Sequence, residues 1–207
     1  MEGSGKRSKF LLLLPLAGIL LFIALYTIAT FLYPGGSSLD PAAHGFNWVH
    51  NYWCELTDAY SRNGSPNAAR PVALLAMLII CVSVSIFWFQ LPTIFSGRPY
   101  AKIIRFTGIL SMIVAGFIFT GFHDVVIDVA GLLAGITLSL TFIGLYQGRL
   151  YTFFIFGLVC LAMMLFNYFI HKTGILLPWL AVAQKVTFVF VVLWITFITI
   201  HMYHKAN

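Results

Sequence analysis

Charge is what this sequence has least of. Asp, Glu, Lys and Arg make up 9% of its 207 residues, against 60% hydrophobic and 16% aromatic. A soluble domain carries roughly a quarter charged residues, so a water-soluble globular chain is excluded. Acidic residues number six against twelve Lys and Arg, and the resulting charge of +6 is scattered along the chain. The basic stripe of a nucleic-acid binder is missing, which excludes a nucleic-acid partner. Cysteine is scarce too. Cys54 stands alone in a polar stretch, so no disulfide can close within it, and Cys81 and Cys160 lie in apolar runs as packing residues. The CxxC and CxxH spacings of metal sites do not occur. Internal repeats, a separate soluble domain and any cofactor motif are also lacking, so no cofactor is expected.

What the sequence does have is long apolar runs. A span needs about 20 mostly apolar residues, and six runs qualify: 10–33, 71–95, 103–122, 125–146, 150–170 and 179–203. The first is too long for a signal-peptide core and lacks a small-residue cleavage site, so it reads as a retained helix. The second carries Pro71 at its first turn, where a missing N–H does no harm. The expected fold is all-α, a polytopic membrane bundle of six transmembrane helices forming one domain over 1–207. One extracytoplasmic loop, 34–70, interrupts it.

The basic residues set the orientation. Lys6, Arg7, Lys9, Arg98, Lys102, Arg105, Arg149 and Lys205 fall on one side, against Arg62, Arg70 and Lys172 on the other. Eight against three places both termini in the cytoplasm. Tight connections imply antiparallel neighbours. Gly131 and Gly135, flanked by Ala130 and Ala134, form a GxxxG face. A packing face inside one monomer is the favoured reading and a dimer seam the other.

The loop opens with a turn-forming cluster at 33–38 and closes with another at 63–67. Between them, Phe46, Val49, Trp53, Leu56 and Tyr60 recur at helical spacing. Asn47, Asn51, Glu55 and Asp58 form a polar stripe on the opposite side. The pattern predicts an amphipathic helix over 46–60. It either lies in the interface with its polar face in water or roofs the bundle and turns that face onto a site.

Polar groups inside spans are rare because burial is costly. Thr120, Asp128, Asn167 and Lys185 all fall toward the outer ends of their helices at similar depth, with His123 and Asp124 on the turn above. Asp128 and Lys185 are expected to face the interior and pair, either as a structural ion pair or as part of a site. Asp124 and Asp128 share a helical face at i,i+4. The candidate polar cluster is therefore Asn51, Glu55, Asp58, His123, Asp124, Asp128, Asn167 and Lys185. His44, His50, His123 and His171 share the outer side with these carboxylates, but at no ligand spacing recognised for zinc, so no metal is assigned. Ser83 and Ser85 sit mid-span without the partners of a nucleophilic triad.

Tyr33-Pro34-Gly35-Gly36, then Gly45-Phe46-Asn47-Trp48, then Asn51-Tyr52-Trp53-Cys54-Glu55-Leu56, with the later His123-Asp124 turn, carry a likeness. Together they resemble a family of six-helix prokaryotic membrane proteins, a domain of unknown function distantly similar to Frag/DRAM/Sfk-type membrane proteins. Where that family has Ser-Asp-Leu, this chain has Cys54-Glu55-Leu56. The resemblance implies six helices, a polar extracytoplasmic end and a prokaryotic inner or cytoplasmic membrane. It implies no activity, cofactor or catalytic residue.

Three functions remain open. The first is binding of a lipid headgroup or small polar ligand in an outer-leaflet polar cavity, with membrane lipid as partner. The second is a membrane-embedded lipid hydrolase or transferase, with or without a metal, with Glu55, Asp58, His123, Asp124 and Asp128 as acid/base groups. The third is an ion-coupled transporter, disfavoured by the lack of repeats and interrupted helices.

Overall fold

A computed structural model describes residues 9–95, 97–120 and 122–206, except the side chain of His123. Lys6 and Arg7 of the orientation argument lie outside these residues. The described chain is helical. Its six helices are α1 (Leu14–Leu32), α2 (Arg70–Gln90), α3 (Tyr100–Ala115), α4 (His123–Gln147), α5 (Tyr151–Thr173) and α6 (Leu177–Lys205). Five of them, α3 being the exception, belong to helical stretches long and apolar enough to cross a membrane. Large apolar side chains stand exposed along them, including Phe31, Leu132 and Val189. Such a surface requires an apolar solvent.

α3 falls short of the expected 103–122 span. Its 16 residues reach about 24 Å at 1.5 Å per residue, under the roughly 30 Å of a hydrocarbon core. The α-helix stops where the N–H of Gly116 donates to Met112 O and Val114 O. Phe117, Ile118 and Thr120 then bond to carbonyls three residues back, in tight turns.

The chain forms two compact units. One comprises Met1–Leu20, Leu78–Gly157 and Leu193–Asn207; the other comprises Leu21–Met77 and Leu158–Val192. In the first unit, helices approach through glycine notches. A Cβ on Gly18 would collide with the Ser83 side chain, and one on Gly108 with Trp88. Its buried polar groups are hydroxyls and the Gln90 carboxamide, which donates to Leu11 O at 2.8 Å. Thr107 and Thr137 share a 2.6 Å hydrogen bond between α3 and α4; one hydroxyl proton makes that bond, and the other goes to a carbonyl four residues back on its own helix, Ile103 O or Leu133 O. Ser83 and Ser85 close on Ile79 O and Cys81 O in the same way. Hydroxyls satisfied by their own helix are cheap to bury.

The expected packing role of the GxxxG face is not met within this unit. A Cβ on Gly131 or Gly135 would meet nothing within 4 Å, and both line an open groove with Ile103, Leu132 and Ile136. Alanine should therefore act with opposite sign at two glycines. Gly108→Ala is expected to cost about 1–3 kcal/mol by overpacking. Gly131→Ala is expected to be neutral, or to stabilise by up to about 1 kcal/mol through helix propensity. Unfolding midpoints in a mixed-micelle titration check both.

Candidate functional site

The second unit contains the whole 34–70 loop, which folds on itself rather than forming the predicted amphipathic helix. Within 46–60 the regular structure is a 3₁₀ turn, Trp53–Thr57. The reason is local competition for the backbone. Asn47 Oδ1 accepts the N–H groups of Val49 and His50 at 2.9 and 3.1 Å. Asn51 Oδ1 accepts that of Asn47 at 2.7 Å. Asn67 Nδ2 donates to the carbonyls of Glu55, Leu56 and Asp58, which a continuing helix would need. Asn67 Oδ1 also accepts the N–H of Ala69 and so ties the loop to the start of α2.

The middle of the polar stripe is buried and its ends are not: Asn51 is 0% and Glu55 1% exposed, while Asn47 and Asp58 are exposed. Of the apolar stripe, Leu56 is buried and Val49 and Tyr60 stand exposed. Glu55 Oε1 pairs with Arg62 Nε at 2.8 Å. Its Oε2 accepts Asn51 Nδ2 at 2.5 Å, and the same amide donates to Gly36 O at 2.7 Å. Partial burial works against the Arg62 charge, but the Glu55 hydrogen bond and the charges of Glu55 and Asp58 outweigh it and raise its pKa. The backbone N–H of Arg62 donates to the Tyr33 hydroxyl at 3.1 Å, and burial pushes the Tyr33 phenol up. Gly36, at φ +82°, lets the first turn of the loop lie against Arg62 and Asn63, whose backbones a Cβ would strike.

This network is joined to two helices. The Tyr26 hydroxyl on α1 donates to Trp53 O at 3.0 Å. Lys185 Nζ on α6 donates to Asn51 O at 2.6 Å and to Ala181 O at 3.0 Å, and lies 5.6 Å from the centre of the Phe46 ring. Beneath the 3₁₀ turn, Phe22, Tyr26, Trp53 and Phe188 stack into one aromatic cluster. Asn167 Nδ2 on α5 donates to Thr187 Oγ1 of α6 at 2.6 Å and to Met163 O at 3.0 Å. Three buried polar atoms of this unit, Trp53 Nε1, Arg70 Nε and Asn167 Oδ1, have no hydrogen-bond partner among the described residues.

Of the sequence candidates, Asn51, Glu55 and Lys185 are linked by hydrogen bonds. Asn167 belongs to the same unit, and Asp58 is exposed beside the 3₁₀ turn. Asp124 and Asp128 belong to the other unit and are exposed on α4, so Asp128 does not face a packed interior as expected. The hydrogen bonds of Lys185 run to the two carbonyls instead of a carboxylate. His123 opens α4, but its side chain lies outside the described residues. His44 and His171 are exposed and His50 is half-buried. Among the described residues no three His, Cys, Asp or Glu side chains gather in a metal-holding group. Sequence reasoning missed Arg62, Asn67, Tyr26 and Tyr33. A charge of opposite sign seven residues from Glu55 was the one visible hint of Arg62.

Each oxygen of Glu55 accepts one hydrogen bond, from Arg62 Nε and from Asn51 Nδ2. Comparison with known protein families, with curated proteins and with solved structures gives no match to this chain.

The Arg62 side chain is 47% exposed against 1% for Glu55, so removing it leaves a buried carboxylate without its cation. Arg62→Ala is expected to cost about 2–4 kcal/mol, and Asn51→Ala about 1–3 kcal/mol for the lost hydrogen bonds to a charged group. Chemical unfolding followed by tryptophan fluorescence measures both. Equal stability of wild type and Arg62→Ala would refute the organising role of Glu55.

Proposed function

We propose that this chain is an integral membrane protein of six transmembrane segments, α3 crossing together with the tight turns that carry it to residue 120, and that it binds a lipid headgroup or small polar ligand at the outer leaflet, beneath its extracytoplasmic loop. Both termini are cytoplasmic in this reading, and the membrane is a prokaryotic cytoplasmic or inner membrane. The observation that carries the binding role is the hydrogen bond from Lys185 Nζ to Asn51 O. It brings a lysine from an apolar helix up against the folded loop, near the aromatic cluster of Trp53 and Phe188. Polar residues within spans are costly and are characteristic of sites. Trp53 Nε1, whose ring packs on Phe188 one helical turn beyond Lys185, is a buried donor with no hydrogen-bond partner among the described residues, and buried polar atoms in folded proteins are nearly always partnered.

Ligand binding stabilises a fold by mass action, about 2.7 kcal/mol at a hundredfold excess over Kd. Delipidated protein should therefore gain about 5–10 °C in unfolding temperature when polar membrane lipids are added back. Lys185→Met should lose most of that gain. An unchanged midpoint across lipid extracts and small polar metabolites would remove the basis for a binding role.

A further inference from the structure

We infer that the ligand of this region is an anion of the phosphate class and that Lys185 is the cation that meets it. The inference rests on the binding role proposed above and adds the sign of the ligand's charge. Lys185 has three N–H donors. Two are engaged by Asn51 O and Ala181 O, and both acceptors are neutral. The face of the Phe46 ring, 5.6 Å away, adds a weak attraction and no negative charge.

Glu55 is the acidic side chain of the buried network, and it is already committed. Arg62 Nε holds one of its oxygens at 2.8 Å and Asn51 Nδ2 the other at 2.5 Å. Asn51 thus stands between Glu55 and Lys185, its amide on the carboxylate and its carbonyl on the ammonium. The half-buried ammonium makes its hydrogen bonds to neutral acceptors, and the charge of Glu55 acts on it only across Asn51. A charge withdrawn from bulk water is costly unless opposite charge reaches it; Glu55 offsets part of that cost from a distance, and a ligand anion in direct contact supplies the rest.

Position narrows the class. Lys185 lies eight residues beyond Leu177, the start of α6, about 12 Å along the helix axis. Trp179 is exposed near that end, and the Tyr52 hydroxyl donates to Leu177 O at 3.4 Å. Tryptophan and tyrosine mark the headgroup level of a bilayer. A lysine stem rooted below that level extends back toward it, where lipid phosphates stand. An ammonium is a compact point charge that suits phosphate oxygens.

The test uses the full chain in nanodiscs holding phosphatidylglycerol and phosphatidylcholine in equal parts, then native mass spectrometry of the lipid retained after release into mild detergent. Wild type is expected to retain the anionic lipid over the zwitterionic one by about tenfold or more, as for a charge-assisted hydrogen bond. The ratio should fall toward unity in Lys185→Met and persist in Lys185→Arg. Displacement of the lipid by inorganic phosphate supports a phosphate site and points to a free anion as its natural occupant. Equal retention of the two lipids by wild type overturns the inference while leaving the binding role standing. A protein that retains neither lipid, and that no lipid or polar metabolite stabilises, overturns both. If Lys185→Met does not fold, the wild-type ratio and Lys185→Arg decide.

Discussion

A carboxylate with 1% exposure sits at the centre of the loop, and the shape of everything around it follows from that burial. An ionised group so enclosed needs an opposite charge and hydrogen bonds on both oxygens. Arg62 supplies the first and Asn51 the second. To deliver Arg62, the second half of the loop must fold back over the first. The backbones then approach so closely that Gly36 can carry no side chain. Asn67 takes up the carbonyls left open around the 3₁₀ turn. What reads as a connector between two spans is therefore a folded element with its own polar interior.

The same constraint explains what the sequence made legible. Long apolar runs identified the helices, because length and hydropathy are local properties. Lys185 and Asn167 stood out for the same reason, as polar residues in apolar surroundings. The 46–60 segment misled. Its stripe is helical in spacing, but Asn47 and Asn51 bond to the backbone that a helix would use, and periodicity does not register that competition. Its polar side was also expected to face water or a ligand, whereas Asn51 and Glu55 face each other and Arg62. Arg62 and Asn67 were invisible because their role depends on chain reversal, a tertiary fact.

Glycine spacing was a weaker guide than glycine surroundings. Gly131 and Gly135 carry the recognised motif, yet a Cβ at either finds open space. Gly18 and Gly108 carry no motif and lie in close helix contact. Sequence shows where small residues recur, but only the fold shows which of them a neighbour has used. Buried hydroxyls follow a related logic. Ser83 returns its proton to its own helix, and Thr107 and Thr137 spend theirs on one bond between helices and one carbonyl of their own.

The bond from Lys185 to Asn51 spans 134 positions of chain. During biosynthesis the loop emerges well before the last helix, since chains are made and folded from the N-terminus onward. The Glu55–Arg62 pair can close as soon as residue 62 has been made. The carbonyl of Asn51, by contrast, waits for Lys185 on a helix made more than a hundred residues later. The loop therefore folds in two stages, with its last latch supplied by a helix that follows it at long range.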